Sequence, residues 1–261
     1  VTKIGGQLDA DLTLGGTLAA PEAHGPLAIA GGRAHVLALG VTYDPITLRV
    51  MLDGPAATIE TLRIVSGSGA LTGAGSARLV GADAVLDVHF QLDRFPLFAN
   101  QFGDGAMSGT IAVAGTSTAP IVDGALTTNR FVLRIPETLP GSVRPPDPTI
   151  TIVGPGAPAV VIVPTAEAAG ATRAATPRLG IYERAAITIQ VDVPKDAWIR
   201  RSDADIELRG WMTAWKKPSR QLALVGEIAT VRGWYAFQGR IFTIENGRVI
   251  FGAGEDIDPL L

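Results

Sequence analysis

Asp83-Ala84-Val85-Leu86-Asp87-Val88-His89-Phe90-Gln91-Leu92-Asp93 puts Ala84, Leu86, Val88, Phe90 and Leu92 on one side, with Asp83, Asp87, His89, Gln91 and Asp93 on the other. A repeat of two is the period of a β-strand with one dry face. The pattern extends in both directions. Leu8, Ala10, Leu12 and Leu14 share a side, as do Ile46, Leu48, Val50 and Leu52, and later Ile187, Ile189, Val191 and Val193. No stretch carries a 3.6-residue period long enough for an amphipathic helix, so the expected fold class is all-β.

The composition agrees. Glycine supplies 31 of 261 residues, well above the usual ~7%, and charged residues at 18% fall below the usual ~25%. Net charge is -3 and the pI near 5.6, which leaves no basic excess for a phosphate backbone, so nucleic acid is not an expected partner. Mean hydropathy is +0.28, yet no apolar run approaches the ~18 residues that span a bilayer. The hydrophobicity therefore belongs on alternating strand faces. With no cysteine, disulfides, thiolate metal sites and thiol nucleophiles are excluded.

Gly16-Thr17-Leu18-Ala19-Ala20-Pro21-Glu22-Ala23-His24-Gly25 and Gly115-Thr116-Ser117-Thr118-Ala119-Pro120-Ile121-Val122-Asp123-Gly124 share G-T-x-x-A-P-x-x-x-G. This internal repeat reads as strand, turn, strand. A degraded third copy is expected between Gly210 and Gly226, around Pro218. Between Ile135 and Gly180 prolines at 140, 145, 146, 148, 155, 158, 164 and 177 exclude central strands; a loop is expected, with short edge strands at Thr149–Val153 and Ala159–Val163. The chain thus divides into residues 1–135, a Pro/Gly/Ala-rich insertion 136–180, and 181–261.

Candidate chemistry is thin. Asp203, Asp205 and Glu207 alternate on one strand face, like a cation site, but also like a solvated strand surface, the favoured reading. His24, His35 and His89 lack metal-ligand spacing. Ser66-Gly67-Ser68-Gly69 and Leu71-Thr72-Gly73-Ala74-Gly75 have no following helix to hold a phosphate, so they read as turns. Lys216, Lys217 and Arg220, near Trp211 and Trp215, fit a solvated loop better than a membrane contact. Asn246-Gly247 suits a two-residue type I′ hairpin, which would pair Ile244 with Val249 and Phe242 with Phe251 on one face and set Glu245 opposite Arg248 on the other.

Trp198-Ile199-Arg200, with Asp205, Glu207, Leu208 and Gly210, leads to Arg232-Gly233-Trp234-Tyr235 and then to Gly239-Arg240-Ile241-Phe242-Thr243-Ile244-Glu245-Asn246-Gly247-Arg248-Val249-Ile250-Phe251. In this order the segment resembles the C-terminal region of TamB, the translocation and assembly module family within the AsmA-like group. Arg201 and Asp203 stand where that family often has glycine. The resemblance implies an elongated, curved antiparallel sheet, a β-taco or β-groove, with an apolar concave face and no active site or cofactor. It implies a periplasmic location, an inner-membrane anchor outside this sequence, and an outer-membrane partner of the TamA/BamA type.

A single sheet cannot leave its aliphatic face in water; it must close, stack or shield something. The expected lining of such a groove is Leu8, Leu12, Leu48, Val50, Leu86, Val88, Phe90, Ile189, Ile206, Leu208, Leu222, Leu224, Phe242, Ile244, Val249 and Phe251. Its expected cargo is phospholipid acyl chains or nascent outer-membrane strands. The alternative is a β-solenoid passenger or adhesin-type structural module without lipid transfer, although the regular coils with stacked side-chain ladders expected of one are not found in the sequence. A β-helical lyase or glycosidase would need clustered carboxylates, whereas the acids here are spread along polar faces.

Overall fold

The structure, a computed structural model, describes residues 2–17, 20–81, 83–136, 180–252 and 259–260. The alternating segments form strands β1 (Thr2–Ala10), β2 (Thr13–Thr17), β3 (Ala20–Val36), β4 (Val41–Gly54), β5 (Ala56–Ser66), β6 (Gly69–Val80), β7 (Asp83–Asn100), β8 (Gly103–Thr116) and β9 (Ala119–Arg134). One helical turn, α1 (Ile181–Arg184), precedes β10 (Ala186–Arg201), β11 (Ala204–Lys216), β12 (Ala223–Phe237), β13 (Arg240–Thr243), β14 (Arg248–Phe251) and β15 (Pro259–Leu260). All fifteen strands belong to one open, curved sheet. Its order follows the chain, with β2 beside β3 and β13 beside β12.

Among the described residues every pairing but one is antiparallel. β10 runs parallel to β9, from Ala186 opposite Ile121 to Arg200 opposite Arg134. Parallel neighbours need a crossover connection, and the chain between Arg134 and Ala186 provides the length. This pair joins residues up to 135 and from 181 into one continuous sheet. The edge strands expected at Thr149–Val153 and Ala159–Val163 lie outside the described residues.

The internal repeat is one hairpin used twice. Thr17 pairs with Ala20 and Gly16 with Pro21; Thr116 pairs with Ala119 and Gly115 with Pro120. The third copy is a wider turn, because β11 and β12 end their pairing at Trp215 opposite Ala223.

The Asn246-Gly247 hairpin does not form. β13 and β14 both pair with β12, Phe242 opposite Tyr235 and Val249 opposite Ile228, so residues 244–247 interrupt one edge strand. Arg248 pairs with Glu227 at 3.2 Å and not with Glu245. A reversal at Asn246 would strip Gly226–Ala229 of their partners on that side, whereas an edge running along all of β12 satisfies more backbone groups. The two-residue turn lies instead at Gln238 and Gly239, with φ of 50° and 75°. Two successive positive φ values are what a type I′ turn requires.

Curvature is visible where β4 and β7, separated in the sheet by β5 and β6, meet beyond the β5–β6 turn. Tyr43 stacks on Phe95 with ring centroids 5.3 Å apart and 7° between planes, and the Ala99 N–H donates to the Leu39 carbonyl at 2.7 Å. Gly40, with φ of 68°, comes so close to the Ala99 carbonyl that a Cβ would collide with it. Side chains from the same side of β4 and β7 touch only if that side is concave there.

Candidate functional site: the apolar side of the sheet

Cross-strand partners share a side, so the register assigns a face to each residue. One ladder passes from β1 to β12 through Leu8, Ile29, Leu48, Leu62, Gly73, Phe90, Ile111, Gly124, Ile189, Ala214 and Leu224. A second holds Leu27, Val50, Ile59, Gly75, Val88, Val113, Val122 and Ile187. A third, through Ile46, Ile64, Leu71, Leu92, Gly109, Leu126, Val191, Met212, Gly226 and Phe251, lies on the same side. Leu86, opposite Ala77 and Gly115, begins a fourth.

Bulges keep the ladders in phase. The extra residue at Asp93-Arg94 lets both Leu92 and Phe95 point to this side, and the register shifts again where Val231 has no partner on β11. Ile206 and Leu208 follow Met212 along unbroken β11 and join the same side, opposite Gly233 and Thr230. Phe242, Val249 and Phe251 reach it through β12. Ile244, whose N–H donates to Gly233 at 2.9 Å, follows Phe242 by two residues. Leu12 sits between β1 and β2, and Leu222 just before β12; the register assigns neither a face.

Coverage varies along this side. Leu92, at 2% exposure, clusters with Phe95 and Leu126, with Tyr43, Ile64, Leu71, Phe90, Leu97, Met107, Ile111 and Ile189 packed around them. Burial there pushes the Tyr43 phenol above its ordinary range. Most expected lining residues, including Leu48, Val50, Leu86, Val88, Leu208 and Leu224, are half-buried. Leu8 is 64% exposed. Tyr43, Phe95 and Leu126 escaped the sequence reading because bulges and glycines interrupt the alternation beside them; two apolar residues flanking a charged pair, as in Leu92-Asp93-Arg94-Phe95, is the signal that finds such positions.

A hollow of about 760 Å³ opens across β6–β10, lined by Thr72, Ala74, His89, Gln91, Thr110, Ala112, Asp123, Ala125, Thr188 and Gln190, with Gly73, Phe90, Ile111 and Gly124 between them. The first ten project to the opposite, polar side. A twisted sheet is saddle-shaped, so each face is concave along one diagonal. On the apolar side the centre is filled by its own side chains.

The charged candidates resolve into ion pairs and anchors. Asp203 meets Arg201 at 3.1 Å, Asp205 meets Arg200 at 3.3 Å, and Glu207 meets Arg232 at 2.6 Å. Glu207 is 7% exposed, which corrects the solvated-strand reading at that position: Arg200 and Arg232 both lie over the Trp198 ring, at 5.1 and 5.4 Å, and Trp198 pairs directly with Glu207. Lys216 is equally unlike a solvated loop residue at 3% exposure. Its Nζ donates to the carbonyls of Glu183, Ala185 and Lys217 at 3.1, 3.1 and 3.4 Å, tying α1 to the end of β11. His24 pairs with Asp53, His35 with Thr42 and His89 with Asp87, separately. Among the described residues no three His, Asp or Glu side chains gather to hold a metal, and no helix is long and apolar enough to cross a membrane.

No curated protein and no solved structure matches the chain. The model of the TamB C-terminal domain matches residues 60–261, from within β5 onward through the parallel junction, the Trp198 strand and the interrupted edge strand, and by that match the chain belongs to the TamB family.

Proposed function

We propose that this chain is a non-catalytic segment of a periplasmic bridge that shields phospholipid acyl chains as they pass between inner and outer membrane. The carrying observation is the unbroken apolar ladder from Leu8 to Leu224 across successive strands, with no second layer over it among the described residues. At roughly 4.8 Å per strand, the sheet extends by nearly 60 Å, a useful span for a conduit. The half-buried flanks of the ladder are where acyl chains would lie; the cluster around Leu92 would brace the sheet between them. The anchor in the inner membrane belongs to a segment outside this sequence, and the outer-membrane partner is of the TamA/BamA type.

A second reading, help with outer-membrane protein assembly, is favoured by the edge of β13, which pairs with β12 alone among the described residues. Such an edge can receive a nascent strand. Mass spectrometry of lipid extracted from gently purified protein tests the first reading. Bound phospholipid, lost in a folded Leu208→Asp or Leu224→Asp variant because an unpaired charge would face hydrocarbon, is the expected result. Protein that carries no lipid would leave assembly as the better account.

A further inference from the structure

We propose that the β12–β13 hairpin is a bilayer-contacting tip, which seats this end of the sheet in the headgroup region of a phospholipid membrane. Of the other turns at this end of the sheet, Gly67-Ser68 between β5 and β6 and Ser202-Asp203 between β10 and β11 are polar, Gln101-Phe102 between β7 and β8 exposes a single aromatic ring, and Leu37–Gly40 between β3 and β4 exposes two leucines. The β12–β13 ribbon differs. Tyr235, Phe237 and Phe242 share one side, with Tyr235 and Phe237 stacked at 6.2 Å, while Ile241, opposite Ala236, occupies the other side with Trp234. Ile241 is 73% exposed, Phe237 53% and Phe242 50%.

The ribbon also overhangs its neighbour. β11 begins at Ala204 opposite Tyr235, so Phe237, Gln238, Gly239 and Arg240 project past it. Apolar side chains on both faces call for a medium that surrounds them, and Trp and Tyr rings are at home at the water–hydrocarbon boundary. Arg240 adds a guanidinium with no ion-pair partner among the described residues, placed at the turn where it would meet lipid phosphate. This inference goes beyond the conduit reading and does not depend on it.

Flotation of the purified 261-residue chain with vesicles of phosphatidylethanolamine and phosphatidylglycerol tests it. The chain is expected to float, and Phe237→Asp with Ile241→Asp to weaken that binding by at least about tenfold while the β-sheet circular dichroism stays unchanged. Arg240→Glu should weaken binding to these vesicles more than to vesicles of phosphatidylcholine alone. Leu79→Asp with Val80→Asp, an exposed apolar pair elsewhere, and Leu208→Asp, which addresses the conduit, should leave flotation intact. A wild-type chain that stays at the bottom of the gradient, including one that instead binds an outer-membrane protein through this hairpin, overturns the proposal. So does equal loss from the Leu79/Val80 variant.

Discussion

Leu92 and Phe242 stand on the same side of one sheet, yet Leu92 is 2% exposed and Phe242 50%. Among the described residues neither lies beneath a second layer. The difference comes from the neighbours: around Leu92, strands β4 to β10 curl until Tyr43, Phe95 and Leu126 crowd over it, while Phe242 sits on a four-residue edge strand supported from one side. In a single-layer sheet, curvature does the work that a facing layer does in a sandwich. The apolar side therefore has a self-sealed centre and open flanks, and only the flanks have surface to offer.

Truncation should separate the two regions most strongly. Leu92→Ala is expected to cost about 2–5 kcal/mol in urea denaturation, and Leu8→Ala under about 1 kcal/mol, because only the first opens a cavity. Equal losses would mean that the flanks are as sealed as the centre. Lys216→Met should cost about 2 kcal/mol, since three carbonyls lose a charged donor. Its signature in hydrogen exchange is faster exchange at the Ser219 N–H, which donates to Glu183 at 2.7 Å.

The edge can be probed at its turns. Gly239→Ala should cost about 1 kcal/mol, because φ of 75° suits glycine, whereas Asn246→Ala should stay within about 0.5 kcal/mol. The reverse ranking would restore a hairpin at Asn246-Gly247. The smallest effect belongs to Tyr43. Its pKa is raised by burial, so the unfolded chain loses its proton first. Stability is fully present below the ordinary tyrosine pKa of about 10 and falls as pH rises through the raised value. Tyr43→Phe should flatten that alkaline slope in denaturation curves.

Alternation alone made the strands legible, from Asp83–Asp93 outward, because a period of two follows from backbone geometry whatever the strand pairs with. It also gave the facing of Leu48, Val50, Leu86, Val88, Phe90 and Ile189, which the ladders place together. Pairing was less legible. Asn246-Gly247 has the chemistry of a tight turn, but the fifteen-residue length of β12 decides where the edge strand goes, and length of a partner is not a local signal. The sealed centre depends on bulges at Asp93-Arg94 and elsewhere, which break the very period used to find it. Burial of Glu207 and Lys216 was illegible for a related reason: a charged residue on a polar face looks solvated until Trp198 or α1 is known to lie across it.

The conduit claim is tested most directly by a photo-reactive amino acid placed in the full-length protein in cells, at Leu208 on the apolar side and at exposed Arg209, one residue away on the polar side. The account predicts a phospholipid adduct at position 208 and none at 209. Equal adducts at both positions, or none at 208 in folded protein, would contradict it.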